Sequence, residues 1–219
     1  MDPGSACAAP GFSTDASLGI RAPFPVRQTA DVGSPFLYFA DDRLSSAELT
    51  AACLDGHLVS LGDAYMPADA VETQALRAGS LARTLGDTLA ATHLTAAWIH
   101  GGLPAPPVRH TVQRAVPRRL HVVPHRQLVY RDLAVAADDL QRIGGVLVTS
   151  PERTLADLAR VGDVEHTRAA RLLAGADQDA AARAIARLEA GVLPHKRAAL
   201  SCLREIVAGL QEDVTRYTS

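Results

Sequence analysis

Five histidines, His93, His100, His110, His121 and His125, fall in one stretch near the middle of the chain. Imidazoles can ligate zinc or move a proton near neutral pH. A helical zinc pair needs two histidines at ligand spacing beside a carboxylate, and this chain has neither that pattern nor a C-x-x-C. Isolated histidines on strands are more often surface or core residues, so no metal and no cofactor is expected. Nucleophilic catalysis needs a nucleophile, a base and a group that orients the base. No G-x-S-x-G is present, and Cys53 falls within an expected helix as a small apolar residue. Gly101-Gly102 and Gly144-Gly145 suit turns better than phosphate-cradling loops. Asp132, Asp138 and Asp139 are close in sequence, as a metal-dependent nuclease would require. The single lysine, Lys196, is far from them, and Asp138-Asp139 reads better as the opening of a helical turn. No catalytic residue is expected, and the chain reads as a non-enzyme.

Arginine is the other source of chemistry. Residues 91–131 hold no Asp or Glu but six arginines, Arg109, Arg114, Arg118, Arg119, Arg126 and Arg131. Residues 1–90 carry 11 acids against 5 arginines, and 132–219 carry 13 acids against 11 bases, for a net charge of −2. Positive charge is thus gathered in the middle. A basic face of this kind suits an acidic protein or phosphates, and sets encounter and orientation more than affinity. The plainer role for the same residues is solvation, or pairing with acids from elsewhere in the chain.

The elements that must position these groups follow from local signals. Residues 1–35 hold Pro3, Pro10, Pro23, Pro25 and Pro35 among Gly, Ser and Ala, which predicts a disordered or extended arm. Ser45 and Glu48 form a capping box for a helix from Ser46, with Leu44 and Leu49 as a hydrophobic staple and Gly56 past its end. Gly62-Asp63 between two apolar runs predicts a hairpin. Asp69 with Glu72 repeats the capping pattern and predicts a helix to about residue 84. Thr92 caps a short helix ended by Gly101-Gly102, with Trp98 as its core anchor. Strands are expected over 108–112, 120–123, 127–130 and 146–148. Ser150-Pro151-Glu152 opens a helix whose Leu155 and Leu158 face the core, and whose Arg153 and Asp157, four apart, can pair. Helices over 164–173, 178–190 and 196–210 complete the chain. The fold class is α/β (α+β), a helix and hairpin followed by a mixed domain ending in a helical bundle.

Cys7, Cys53 and Cys202 are scattered, so no disulfide framework is expected. No apolar run reaches transmembrane length and the N-terminus lacks a signal-peptide pattern, so a cytoplasmic protein with no membrane partner is expected.

Two stretches carry a family resemblance. The first holds Thr92, His93, Thr95, Ala96, Ala97, His100 and Gly101. The second holds Gly145, Val148, Thr149, Ser150, Pro151, Arg153, Thr154, Leu155, Asp157, Leu158 and Ala159. Together they resemble AbiEi-type antitoxins of type IV toxin–antitoxin systems, over roughly 43–160 and more weakly to the end. The resemblance implies an N-terminal winged helix that binds operator DNA and represses its own operon. It also implies a C-terminal α/β domain that neutralises a nucleotidyltransferase toxin encoded alongside. The motif residues it marks are His93, Trp98, His100, Thr149, Ser150, Pro151, Arg153, Thr154 and Asp157; they read as scaffold, with partner contacts elsewhere.

Against that pattern, the hairpin keeps Gly62 and Tyr65 but carries acids, Glu48, Asp55, Asp63 and Asp69, with no Arg or Lys between Arg43 and Arg77. Phosphate neutralisation supplies most non-specific DNA affinity, so this region counts against DNA binding. The expected organisation is an arm over 1–35, a degenerate winged-helix remnant over 36–69 and an antitoxin domain over 70–219. The expected function is neutralisation of a cognate nucleotidyltransferase toxin by direct binding through the basic residues, with self-association as a further partner expectation. The alternative is an autorepressor with Arg114, Arg118 and Arg119 on DNA.

Overall fold

Helix α1, Ser46–Leu54, starts where its cap dictates: Ser45 Oγ accepts from the Glu48 N–H at 3.3 Å, and the Glu48 carboxylate accepts from the Ser45 N–H at 2.8 Å. It runs into an antiparallel hairpin of β1, Leu58–Leu61, and β2, Ala64–Pro67, turning at Gly62-Asp63. These observations come from a computed structural model that describes residues 35–121, 126–192 and 194–217, and the side chains up to residue 211. Nearly all of the expected arm, Cys7, His125 and most of the 120–123 strand lie outside the described residues; Leu120 and His121 are not in a strand.

The hairpin is followed by α2, Gln74–Ser80, and α3, Ala82–Leu85. This corrects the helix expected from Asp69 to residue 84. Its cap is Thr73, whose hydroxyl accepts from the Leu76 N–H at 3.3 Å, while Glu72 is drawn to Arg77 at 2.5 Å instead of back to the chain end. The segment then breaks at Leu81.

A five-stranded mixed sheet follows, in spatial order β5, β4, β3, β7, β6. Its strands are β3, Leu89–Ala91; β4, His110–Arg114; β5, Leu128–Ala134; β6, Leu140–Ile143; and β7, Val146–Thr149. β4 starts two residues later than expected, because Val108 is fully out in solvent. β3 and β6 are unforeseen, being short and lacking alternation. Helix α4, His93–Ile99, connects β3 to the loop before β4. The turn between β6 and β7 is Gly144-Gly145, with φ of +53° and +83°. An added Cβ at Gly144 would overlap the Ala75 carbonyl oxygen of α2, so α2 can lie on this turn only if residue 144 is glycine.

The C-terminal half is four helices, α5, Pro151–Val161; α6, Val164–Ala176; α7, Gln178–Ala190; and α8, Lys196–Tyr217. Capping explains the starts of α5, α6 and α7. Ser150, Asp163 and Asp177 each accept a backbone N–H from the first turn that follows.

Two cores result. One gathers Ala91, Val112, Val146 and Val148 of the sheet with Leu76, Leu81, Trp98 and Ile99, and takes in Leu61 and Met66 of the hairpin. The other is helical, with Leu94, Leu155, Leu158, Leu173, Leu188 and Leu203 spaced by many alanines. Alanine lets helix backbones approach closely, which gives the many buried alanines a packing role. Helix α4 contributes to both cores: Trp98 and Ile99 to one, Leu94 and Ala97 to the other.

Candidate functional site

The family-like residues converge where α4, β7 and α5 meet. The Thr149 carbonyl accepts from His100 Nε2 at 2.7 Å and from Thr154 Oγ1 at 3.2 Å. A carbonyl only accepts, so His100 carries its proton on Nε2. Burial holds the His100 pKa below its ordinary value, although the Thr149 carbonyl pulls the other way. Thr149 and Thr154 share a hydroxyl contact at 2.8 Å. Ser150 caps α5, and Pro151 occupies its first position, where no N–H is required. The two stretches singled out in the sequence are thus bonded to each other through Thr149. Trp98 is fully buried, as expected.

Arg153 does more than its spacing implied. It reaches Asp157 at 2.8 Å, as expected for an i, i+4 pair, and also Asp139 at 2.5 Å. Asp139 meets Arg187 of α7 at 2.6 Å, and Asp157 meets Arg160 at 3.2 Å. Asp139 and Asp157 are both buried. Burial disfavours charge on Arg153, but Asp157 and Asp139 outweigh it and hold the guanidinium charged. Asp139 closes a 3-10 turn, Ala137–Asp139, so the helical turn expected at Asp138-Asp139 is present, but its acid serves a network. No sequence signal could have found the links through Asp139: its partners Arg153 and Arg187 are 14 and 48 residues away.

His93 sits beside this network and is 3% exposed. Its backbone is left-handed, with φ of +51°, which is uncommon outside glycine and marks local strain. Its Nδ1 lies 3.0 Å from Thr92 Oγ1, whose hydroxyl also donates to the Thr111 carbonyl at 3.4 Å, and Thr92 makes no side-chain cap to α4. The His166 ring stands edge-on at 6.1 Å. Burial, followed by the charges of Arg131, His166, Arg153 and Arg160, pushes the His93 imidazole down to about 3. A neutral, caged imidazole of this kind is a structural group facing an excess of positive charge.

The six arginines of the acid-free segment divide. Arg114 turns inward to Asp132 at 3.0 Å and to the Val116 and Pro117 carbonyls. Arg131 is half-buried, and its charge is felt at His93. Arg109, Arg118, Arg119 and Arg126 are exposed. Arg119, at 88% exposure, is only loosely paired with Asp132 at 3.8 Å, and Arg109 donates to the Leu128 carbonyl at 3.0 Å. The structure therefore brings Arg114 and Arg119 together around Asp132 and leaves four guanidinium groups on the surface.

His110 is buried beside Trp98, with ring centroids 6.2 Å apart, and burial lowers its pKa. Among the described residues no three of His, Cys, Asp and Glu converge as a metal site. A polar cleft of about 350 Å³ opens beside His100, lined by Gln74, Gln141, Pro151 and Asp177. Among the described residues no helix is long and apolar enough to cross a membrane.

The family model described as AbiEi antitoxin C-terminal domain matches residues 89–201, from β3 into α8. No curated protein matches the chain. Among solved structures, the crystal structure of RV2827C protein from Mycobacterium tuberculosis is similar at 22% identity with a TM-score of 0.31, over 71% of this chain and 69% of that chain.

Proposed function

The chain belongs to the AbiEi antitoxin family, and from that premise we propose that it neutralises its toxin by binding it directly through the exposed arginines of the acid-free segment. The family assigns an antitoxin role and, with it, a toxin partner in general. The observation that carries the finer reading is the exposure of Arg109, Arg118, Arg119 and Arg126 in a segment without a single acid. The proposed partner is a nucleotidyltransferase. Such an enzyme holds metal through clustered carboxylates, and a basic face is complementary to that mouth.

Operator binding is the weaker reading. The exposed surface of α1 and its flanks presents Glu48, Asp55 and Asp69, which repel phosphate. In this reading residues 36–69 are a winged-helix remnant that supports the domain over 70–219, and Leu61 and Met66 supply that support by packing into the sheet core. The protein acts by contact, not turnover, and in the cytoplasm.

Co-expression with the product of the neighbouring open reading frame tests the proposal. The two proteins should co-purify, and the double variant Arg118→Glu, Arg119→Glu should slow association at low salt by about tenfold or more, with a smaller effect at high salt. Two proteins that migrate independently at micromolar concentration would refute direct binding. A steep, salt-sensitive operator shift without toxin binding would favour the repressor reading instead.

A further inference from the structure

β5 forms one edge of the sheet and, among the described residues, is paired on one side only. The His110 N–H donates to the Gln127 carbonyl at 2.7 Å. Alternation along a parallel strand then turns the main-chain groups of Val129 and Arg131 toward β4 and those of Leu128 and Tyr130 outward. The Leu128 carbonyl agrees, since it faces the Arg109 side chain at 3.0 Å and not β4. The Leu128 N–H and both main-chain groups of Tyr130 face the open edge.

Exposed edges invite a further strand unless charge, proline or a bulge blunts them. The irregularity in this ladder falls later, after the Gln113–Arg131 pair, and leaves Leu128 to Arg131 in register with β4. Proline is absent from β5. The charge here has one sign. Arg109 and Arg126 are exposed next to the edge and Arg131 lies on it, while the nearest acid, Asp132, is already shared by Arg114 and Arg119.

We propose that this edge accepts an extended acidic segment of a partner protein as a sixth strand. Main-chain bonds to Leu128 and Tyr130 would supply affinity, and acids at alternate positions, on the face shared with Val129 and Arg131, would supply specificity. Apolar residues between them would fall on the face of Leu128 and Tyr130, which pack against the sheet core. Arg109 covers the Leu128 carbonyl with an exposed side chain, so it can release that acceptor and bind an incoming carboxylate. A second copy of the chain is the wrong occupant, because pairing β5 with itself would bring Arg109, Arg126 and Arg131 of both copies together. The inference rests on direct toxin binding only in naming the toxin as the protein that supplies the segment.

The test is amide hydrogen exchange on the full chain, with a ten-residue peptide of alternating Glu and Val as probe and its Lys–Val counterpart as control. The Glu peptide should slow exchange at Leu128 and Tyr130 by about tenfold or more at low salt, and the Lys peptide should not. Binding of the Glu peptide without protection of those two amides, or no binding at low salt, would overturn the proposal. So would protection already present in the free protein, which would mean that the edge is occupied by the chain itself or by a second copy. A toxin that binds while Leu128 and Tyr130 stay unprotected would overturn the docking mode and leave direct neutralisation standing. A toxin that does not bind would overturn direct neutralisation, and the peptide result would still decide the edge.

Discussion

Acidification should weaken this protein before its carboxylates matter, and His93 is the main reason. The folded imidazole stays neutral to about 3, against an ordinary value of 6.5. Below pH 6.5 the unfolded chain therefore binds a proton that the folded chain refuses. Stability falls as pH falls, and the loss stops growing near pH 3. At pH 6.5 the unfolded imidazole is already half protonated, so lowering the pH from 6.5 to 4.5 removes about 2.3 kcal/mol for this residue alone. His100 and His110 are lowered by burial and act in the same direction. Asp42, Glu48 and Asp163 have lowered values, so their contribution is lost only as pH falls through the carboxylate range, near or below the foot of this window. Urea unfolding at pH 6.5 and at about pH 4.5 measures the effect; with a slope of about 2 kcal/mol/M, the His93 share is a midpoint shift of about 1.2 M. His93→Asn is the matching variant, since asparagine tolerates a left-handed backbone and does not titrate. It should be less stable than wild type at pH 6.5 and lose about 2.3 kcal/mol less over the interval. Equal losses for wild type and His93→Asn would show that the His93 cage does not hold its imidazole neutral, and the reasoning would fail.

Two further outcomes follow from the buried charges and the tight turn. Asp139→Ala leaves Arg153 without its 2.5 Å partner and Arg187 without its 2.6 Å partner, and should cost about 3 kcal/mol in chemical denaturation; a cost below about 1 kcal/mol would mean solvent screens the network. Gly144→Ala should cost about 3 kcal/mol through its positive φ and its overlap with the Ala75 carbonyl, whereas Gly56→Ala, with positive φ but open space around it, should cost about 1 kcal/mol; equal shifts in thermal melts would contradict the close approach of α2.

What could be read in the sequence was local chemistry. Ser45 with Glu48, Gly62-Asp63, and Ser150-Pro151 each fix a chain direction within a few residues, and each is found as expected. The same logic misplaced the helix at Asp69, because Glu72 had a competing partner in Arg77 that a spacing rule cannot weigh. The roles of Arg114 and Arg131 were hidden for a related reason. An arginine in an acid-free stretch looks free, yet Asp132 stands one residue beyond that stretch and takes Arg114, and the fold leaves Arg131 half-buried with its charge felt at His93. β3 and β6 are too short to show a period, and only their neighbours in the sheet define them.

The Asp139 junction also governs how the molecule can come apart. One carboxylate ties the turn ahead of β6 to α5 and α7, so neither helix can lift away while the sheet stays intact without leaving a guanidinium or carboxylate stranded in the interior. Partial opening at that seam is therefore suppressed, and the sheet and the helical half should melt as a single cooperative unit. An antitoxin built this way would be lost as a whole or kept as a whole, with no half-open form that still covers a partner.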